Sequence, residues 1–497
     1  MKNKTTVLFA IILVFALVFF AACTTKKPVC GNGVCEPPDE NQNNCPIDKG
    51  GDCPQVPPQN GELLTINISQ LEFSAQNTDL FKSSTRFRPT SNNSGTIYLT
   101  EFQDHETSRV TEGSWSLRNS SCLLESECPN SLVKMLNDNS IVKVDAFRTK
   151  NKKIIIDFWG TPKWLSSSSD ETKIDETTYE YQLHPPKDYA KWNAAIKKIT
   201  EYYSQFKDVE FYFEIWNEPD LKNFWRGDTD QYLELYGETA KAIKEANPGI
   251  KVGGAVPNKW DGKIGSDPKL LNIELIKYAA KNNLPLDFIS WHHYNTGLAA
   301  QKAVDAYKKA LSEAGYAKTP EFVISEWNAP TSQARNSGYA PILMADNMLA
   351  FYKNGINVQT VYAWQDDSAS EQDSRYYGLI TQAEKARPVL YMHKMFDDLS
   401  RDTLGVALNQ DQNIAWIISK TSQGGCYKII LGKWDEGNSS KETPYTLAIS
   451  DAKKLVNAEA ASVKDSYNEK TLTTSGNSVS FGLRGNEMMG IKFCVKS

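Results

Sequence analysis

The sequence predicts an α/β fold, a closed barrel of parallel strands and helices, followed by an antiparallel β-sandwich domain. Six apolar runs typical of strands alternate with helical patterns between residues 153 and 399, which favours a closed barrel over an open sheet. Two of these runs end in a glutamate, Glu218 and Glu326, at the strand end where barrels build their active sites. After residue 401 short alternating runs are separated by Gly, Asn and Ser, which indicates antiparallel strands. The first domain is therefore predicted to be a (β/α)8 TIM barrel.

Residues 1–22 have the features of an export signal. Lys2 and Lys4 precede an apolar run over residues 7–20, which is shorter than the roughly 20 residues that a spanning helix needs. Cys23 follows small residues, as in bacterial-type lipoprotein signals whose cysteine is lipidated and becomes the new N-terminus, although Phe20 stands where leucine is usual. An ordinary cleaved signal or an uncleaved anchor is the alternative. In each case we expect export, with the protein held by lipid on the extracellular side of the cell membrane or secreted.

Residues 23–60 combine a cysteine-rich segment with a linker. Cys30, Cys35, Cys45 and Cys53 lie among Gly, Asn, Pro and acidic residues, so the segment can bury little core and depends on cross-links or a metal. Disulfides are favoured over zinc in an oxidising compartment. The acidic residues are of the type that binds calcium, but a solvated acidic turn is the favoured interpretation. Prolines between residues 54 and 58 indicate a spacer before the next domain.

Residues 61–400 are assigned to the barrel and residues 401–497 to the β-sandwich. The predicted barrel strands are 153–159, 209–216, 250–256, 286–291, 321–326 and 357–364, and the predicted helices are 187–206, 230–246, 269–282, 299–314, 338–354 and 388–399. Residues 63–118, which must supply the first strands, mix short apolar runs with Ser, Thr and Asn, and strand ends are not legible there. In the second domain, strands are predicted at 413–420 and 426–434.

The charge of the chain argues against nucleic acid as a partner. The formal net charge is −5, and the basic residues form no cluster. No cofactor, catalytic metal or protein partner is inferred.

The strand ends carry the residues that glycosidic bond cleavage needs. Asn217 and Glu218 end one apolar strand, and Glu326 ends another. Double-displacement hydrolysis requires one carboxyl group to protonate the leaving oxygen and a second to attack the sugar carbon. A lone strand-end glutamate is more often an ion-pair partner, but the pair favours catalysis. Glu214 shares the pleat parity of Glu218, so we expect it to point into the barrel one layer lower and support the site without touching sugar.

Tryptophans recur at the predicted strand ends. Trp159, Trp216, Trp291 and Trp364 stand at or just past four of them. Aromatic rings stack on the apolar faces of sugars, so such a lining suits a carbohydrate ligand. The alternative is that half of these side chains belong to the core.

Three motifs make the chain resemble family 39 of the glycoside hydrolases, the retaining (β/α)8 clan A family of β-xylosidases and α-L-iduronidases. The motifs are Phe213-Glu214-Ile215-Trp216-Asn217-Glu218-Pro219-Asp220, Asp287-Phe288-Ile289-Ser290-Trp291-His292-His293-Tyr294 and Ser325-Glu326-Trp327-Asn328. Tyr377-Gly378-Leu379-Ile380 and Arg387-Pro388-Val389-Leu390-Tyr391 match the segment after the last strand. The resemblance covers residues 154–396.

This resemblance implies a role for each strand-end residue. Glu218 is expected to be the general acid/base and Glu326 the nucleophile. Asn217 is expected to bond the hydroxyl next to the reacting carbon. The other substrate-binding residues that the resemblance implies are His292 in the same subsite, Tyr294 orienting the nucleophile, Trp364 as the platform beneath the sugar and Arg109 as the arginine of the second strand.

The expected function is that of an exported retaining glycosidase, similar to a β-xylosidase, acting on oligo- or polysaccharides. An endo-acting clan A polysaccharide hydrolase is one alternative. A surface glycan-binding protein without catalysis is the other, and the presence of both glutamates speaks against it. Family members carry a substrate-contacting glutamate after the last strand, where this chain offers Asp366, Asp367, Glu371 and Asp373. The sugar and its linkage are therefore left open.

Two disulfides are expected in the folded domains. Cys122 and Cys128 would close a small loop before a barrel helix, and Cys426 and Cys494 would join the two ends of the β domain. Closing the second loop removes about 4 kcal/mol of unfolded-chain freedom.

Lipidation of Cys23 can be tested directly. Because one acyl chain anchors a protein only marginally, we expect mass spectrometry of the mature N-terminus to show Cys23 carrying two or more acyl chains. Cys23→Ser should release the protein from the membrane fraction. An unmodified residue at the mature N-terminus would contradict the prediction.

Overall fold

A computed structural model describes residues 63–82, 84–86, 105–110, 112–137, 151–175, 177–331, 335, 338–366, 377–383, 385–409, 414–433, 442–464 and 466–496. The predicted export signal, the lipidation site Cys23 and the cysteine-rich segment lie outside these residues, as do Asp367, Glu371 and Asp373. In the part of the chain that the structure describes, no helix has the length and apolarity needed to cross a membrane.

The described elements alternate as the sequence predicts. The strands are β1 (Leu63–Ile66), β2 (Ser84–Arg86), β3 (His105–Val110), β4 (Asn151–Phe158), β5 (Glu210–Ile215), β6 (Lys251–Ala255), β7 (Phe288–His293), β8 (Glu321–Trp327), β9 (Val358–Val361), β10 (Thr403–Asn409), β11 (Ala415–Thr421), β12 (Cys426–Gly432), β13 (Thr443–Ile449), β14 (Lys454–Val463), β15 (Tyr467–Thr471), β16 (Thr474–Ser475), β17 (Ser478–Leu483) and β18 (Met488–Lys496). The α-helices are α1 (Glu112–Asn119), α2 (Leu132–Asn137), α3 (Tyr189–Tyr203), α4 (Thr229–Ala246), α5 (Leu271–Lys281), α6 (Gly297–Ala314), α7 (Ala340–Lys353) and α8 (Pro388–Ser400).

Among these described elements, the strands β2 to β9 close into a parallel barrel in chain order. This confirms the predicted barrel. The two strands that the sequence leaves illegible, β2 and β3, have few apolar residues because β3 sends polar side chains into the barrel. Thr107 and Arg109 lie on one face of β3 and are buried, and Ser108, on the opposite face, is buried as well. A hydrophobicity pattern cannot identify a strand whose buried residues are polar.

Pleat alternation divides the barrel strands between two cores. Ile154 and Ile156 of β4 face the surrounding helices and belong to the large core around the barrel. Between them, Ile155 faces inward and forms a separate buried cluster with Tyr212, Phe288, Val323 and Val358 from other strands. This apolar layer fills the barrel interior. The next inward-facing positions of β4 and β5, nearer the strand ends, are occupied by Asp157 and Glu214.

The carboxyl-terminal domain is a β-sandwich, as predicted. Within the described residues its sheets have the strand orders β1-β13-β17-β16 and β10-β11-β12-β18-β14-β15. The first sheet corrects the domain boundary drawn at residue 61. Strand β1 lies ahead of the barrel in sequence but pairs in parallel with β13, with Leu63 opposite Thr446. Its alternating exposed and buried residues complete a sandwich sheet and do not enter the barrel.

Both disulfide pairings predicted for these domains are confirmed. Cys122 and Cys128 are bonded in the loop between α1 and α2. Cys426 of β12 and Cys494 of β18 are direct cross-strand neighbours whose Cα atoms are 4.0 Å apart. The second bond therefore joins two adjacent strands in the middle of the six-stranded sheet.

A buried histidine in the barrel makes stability depend on pH. His393 of α8 packs edge-on against Trp327, with ring centroids 5.8 Å apart. Its Nε2 atom is buried and has no hydrogen-bond partner among the described residues. Burial lowers the pKa of His393 to about 3, below the ordinary value of about 6.5. The unfolded chain thus takes up this proton before the folded chain does.

We expect His393→Phe to reduce the acid sensitivity of the fold. In the wild type, the free energy of unfolding should fall as the pH drops from about 6.5 towards about 3, by up to about 1.4 kcal/mol per pH unit from this histidine. Phenylalanine keeps a ring against Trp327 and does not titrate. Urea unfolding across this pH range should therefore show a shallower decline for the variant. Equal slopes for the two proteins would contradict the prediction.

Candidate active site

Glu218 is presented by a chain segment in an uncommon backbone conformation. Just after β5, the φ angles of Trp216 and Glu218 are 76° and 43°, in the left-handed region that non-glycine residues seldom adopt. Backbone hydrogen bonds hold this turn, from Trp216 N to Phe158 O (2.6 Å) and from Glu218 N to Val256 O (3.1 Å). Such conformations cost of order 1–3 kcal/mol and are common at functional sites. The neighbouring strands β4 and β6 therefore help to position Glu218.

Both carboxylate oxygens of Glu326, near the end of β8, are held in place. Tyr294 donates its hydroxyl to Oε1 at 2.6 Å, and Arg109 donates from Nη1 to Oε2 at 3.1 Å. Hydrogen bonds from a guanidinium favour the ionised form of a carboxyl group. This arrangement orients Glu326 and favours its negative charge.

Glu218 and Glu326 approach each other across His292. One oxygen from each carboxyl group and a ring nitrogen of His292 all lie within 4.8 Å of one another, and the three side chains are buried. His292 on β7 is the cross-strand neighbour of Glu326. Its Nδ1 lies 2.7 Å from Glu218 Oε1 and 3.6 Å from Glu326 Oε1. The structure thus brings together the two glutamates that the sequence placed at separate strand ends.

His292 has its pKa set by two opposing effects. Burial lowers the pKa, but the negative charges of Glu326 and Glu218 outweigh burial, and the net result is a raised pKa. The raised pKa favours a protonated ring between the carboxylates. Tyr294 remains a hydroxyl donor, because burial first and the charge of Glu326 second raise its pKa well above the usual value.

Arg109 lies beneath this pair and connects it to the barrel interior. Arg109 has 0% of its surface exposed. In addition to its hydrogen bond with Glu326, it donates from Nε to Glu214 Oε2 at 2.8 Å and from Nη2 to Asn217 Oδ1 at 2.8 Å. It also lies 3.5 Å from Asp157. Arg109 therefore belongs to the site and is placed to position the other residues. The contact with the substrate predicted for it stays a prediction.

The structure bears out the supporting role expected of Glu214. Asp157 and Glu214 are paired neighbours on β4 and β5, and both face the Arg109 guanidinium below Glu218 and Glu326. Their carboxylates balance the charge of a fully buried arginine, which would otherwise be costly to desolvate.

Asn217 is held in one orientation by the same arginine. Its Oδ1 accepts the hydrogen bond from Arg109 Nη2, so its Nδ2 amide group is directed away from the guanidinium and is the donor available to a ligand. This geometry suits the predicted contact with a sugar hydroxyl.

Half of the predicted tryptophan lining is core. Trp216 and Trp291, two of the four rings, are fully buried, which bears out the alternative interpretation for those rings. Trp364 follows β9 and has 2% of its surface exposed. It can meet a ligand only through a small part of the ring, and its role as a platform stays a prediction.

Asp366 serves a structural purpose. It accepts a hydrogen bond from Gly378 N at 2.8 Å and forms an ion pair with Arg387 at 2.5 Å. These contacts tie the segment after β9 to the residue that precedes α8. A substrate-contacting carboxylate in this part of the chain would have to come from Asp367, Glu371 or Asp373, which lie outside the described residues.

The sequence reasoning missed Asn258 and Asp220. Asn258 follows β6 and donates from Nδ2 to Glu218 Oε1 at 2.6 Å, while its backbone N donates to Asp220 Oδ1 at 2.8 Å. Burial first, and the charge of Glu218 in addition, raise the pKa of Asp220 to about 6. Its position in the sequence could have identified Asn258, because it stands just past the end of a barrel strand, where active-site residues lie.

Glu218, His292 and Glu326 also satisfy the spacing of a metal site. Both oxygens of Glu326 already accept hydrogen bonds, and the adjacent Arg109 charge opposes a second cation. The three side chains are therefore better suited to acid/base and nucleophilic chemistry than to binding a metal ion.

Sequence comparisons agree with this arrangement. Residues 143–325 match the family model described as Glycosyl hydrolases family 39, which includes Glu218 and ends one residue before Glu326. The chain is 29% identical over 203 residues to a β-xylosidase of Geobacillus stearothermophilus, covering 39% of this chain and 37% of that one. It is 36% identical over 126 residues to a β-xylosidase of Caldicellulosiruptor saccharolyticus, covering 24% of each. The matches thus span 37% and 24% of the length of these two relatives.

The fold resembles that of a solved glycosidase. A monomeric β-xylosidase from Caulobacter crescentus CB15 superposes with a TM-score of 0.64 at 14% identity, covering 88% of this chain and 100% of the other. At this level of identity the likeness shows the fold alone.

Removing the buried arginine should destabilise the protein strongly. Arg109→Met leaves the charges of Glu214, Asp157 and Glu326 without their partner, so we expect the free energy of unfolding to fall by about 3–5 kcal/mol at neutral pH. Urea unfolding measures the change. The matched control is Lys198→Met, which removes an exposed pair with Glu201 (2.9 Å) and should cost under about 1 kcal/mol. Similar losses in the two variants would contradict the central role of Arg109.

Proposed function

We propose that the protein is a retaining glycoside hydrolase similar to a β-xylosidase, a proposal supported by the match of residues 143–325 to the model described as Glycosyl hydrolases family 39. The observation that carries the proposal is the approach of the Glu218 and Glu326 carboxyl oxygens to within 4.8 Å. Retaining glycosidases hold the two groups about 5–5.5 Å apart, whereas inverting enzymes leave about 6.5–9.5 Å for a water molecule. The observed separation favours direct attack by a carboxylate.

In the first step, Glu326 acts as the nucleophile. A carboxylate oxygen of Glu326 forms a bond to the sugar carbon, and the bond from that carbon to the leaving oxygen breaks. The proton of Glu218 passes to the leaving oxygen as its electron pair arrives. Arg109 and Tyr294 hold Glu326 for this attack through the contacts described above.

In the second step, Glu218 acts as the base. It takes a proton from water, the water oxygen attacks the same carbon from the opposite face, and the bond to Glu326 breaks. Two inversions at one carbon give retained configuration. Glu326 is neutral while it is bonded to sugar, so ionisation of Glu218 is easier in this step than in the first.

The sugar preference is the finer part of the proposal. Two relatives bear the name β-xylosidase, which supports a xylose-type ring in the site. Asn217 offers an amide donor next to Glu218, suited to a sugar hydroxyl. An endo-acting enzyme is the alternative to be separated by assay, since it would prefer a polysaccharide over a short aryl glycoside.

We also propose export with a lipid anchor at Cys23. The proposal rests on the sequence of residues 1–23. The two disulfides in the folded domains support it, because disulfides persist in oxidising compartments and are rare in the cytosol.

The catalytic roles can be tested with two variants on a panel of nitrophenyl glycosides and plant and bacterial polysaccharides. Glu326→Ala should abolish turnover of every substrate. Glu218→Ala should lower kcat/KM by about 10²–10⁴-fold for poor leaving groups, which need an acid, and spare good ones in the first step. Azide should accelerate this variant and give a sugar azide of retained configuration.

The matched control is Glu238→Gln. Glu238 lies on α4 and bonds Asn193 and Lys241 on the helical surface, so its replacement should leave activity unchanged. Near-normal turnover by Glu326→Ala, or an inverted azide product, would overturn the assignment. A wild-type enzyme inactive on the whole panel would favour the glycan-binding alternative.

A further inference from the structure

Glu218 is held from one side only. Among the described residues, its side-chain hydrogen bonds all involve Oε1, which contacts Asn258 Nδ2 at 2.6 Å and His292 Nδ1 at 2.7 Å. The proposed reaction uses the other oxygen as well, because the carboxyl group must carry a proton and release it to the substrate. With Oε1 occupied by these two contacts, Oε2 is the oxygen left for the proton.

Asn258 is itself fixed independently of Glu218. Its backbone N donates to Asp220 Oδ1 at 2.8 Å. The other oxygen of Asp220 lies 2.4 Å from where a Cβ on Gly262 would stand, so the chain after β6 closes around this carboxyl group without room for a side chain. Val256, at the start of this segment, has a φ of 51°. The Asn258 amide is thus a prepositioned donor.

Resting on the proposed function, we propose that Asn258 is a positioning residue for acid/base catalysis, keeping the transferable proton on Glu218 Oε2 and stabilising the ionised carboxylate in the second step. A hydrogen bond to a charged acceptor is stronger than one to its neutral form. Losing the donor therefore disfavours ionisation of Glu218. The first step, which needs the proton, would persist to higher pH, and the second step, which needs the base, would weaken.

Other charged and titratable groups face Glu218 and remain in every variant. His292 contacts it directly, Glu326 lies within 4.8 Å, and Asp220 and Tyr294 are close enough for their pKa values to respond to its charge. Arg109 acts on the site through Glu326. Since these groups are unchanged, a shift on altering Asn258 reports its own contact.

The test compares Asn258→Leu and Asn258→Asp with the wild type. Leucine removes the donor at similar volume, and aspartate replaces it with a negative charge. The alkaline limb of the kcat/KM profile should move up by about one pH unit for leucine and further for aspartate. With dinitrophenyl glycosides, whose second step limits kcat, the acidic limb should move up in the same order, so that kcat at pH values below the limb falls about tenfold for leucine.

The matched control is Asn193→Leu, which removes an equivalent amide-to-carboxylate bond of 2.9 Å, to Glu238 between α3 and α4. Its profiles should match the wild type. Unshifted limbs, or an equal loss at every pH, in the Asn258 variants would overturn the positioning role.

A readout without turnover separates this inference from the proposed function. In protein labelled with ¹³C at the glutamate carboxyl carbons, the Glu218 signal is the one missing from Glu218→Gln. The pH at which it titrates should rise in Asn258→Leu and rise further in Asn258→Asp. This result would support the role of Asn258 even if the substrate panel failed, and an unchanged titration would refute it even in an active enzyme.

Discussion

The site depends on a single buried guanidinium. Arg109 is fully enclosed by the barrel and contacts Glu214, Asp157, Asn217 and Glu326. A buried charge is tolerated only when it is paired and hydrogen-bonded. The carboxylates that satisfy Arg109 are thereby fixed in position, and one of them is the proposed nucleophile. The requirement of charge balance inside the barrel and the geometry proposed for catalysis are met by the same contacts.

The two glutamates are held in different ways, and the difference suits their proposed roles. Glu326 has both oxygens engaged, by a cation and by a phenolic hydroxyl, which favours a carboxylate of fixed charge and direction. Glu218 is engaged through Oε1, by an amide and a ring nitrogen, and stands on a turn in a left-handed conformation. A group that must gain and lose a proton needs an oxygen that is not tied to a donor.

The β-sandwich is joined to the barrel by packing as well as by the chain. Ile417, Ile430, Val463 and Met488 of the sandwich belong to the same buried core as the barrel helices. Strand β1 precedes the barrel but completes a sandwich sheet. The sandwich therefore contains strands from the chain before the barrel and from the chain after it. The two domains also share a hydrophobic core.

The local pattern of the sequence was sufficient to predict much of the fold and part of the candidate site. Apolar periodicity was sufficient to predict the six strand and helix units from β4 onward, and the glutamates at the ends of two strands were sufficient to place Glu218 and Glu326 at one face. Tertiary structure decided the remainder, because it depends on contacts between distant segments. Arg109 reaches Glu326 across 217 positions of sequence, and β1 pairs with β13, which follows the barrel in the sequence. Asn258 comes to lie beside Glu218 only because β5 and β6 are neighbours in the barrel. The periodicity of residues along the chain does not predict such a contact.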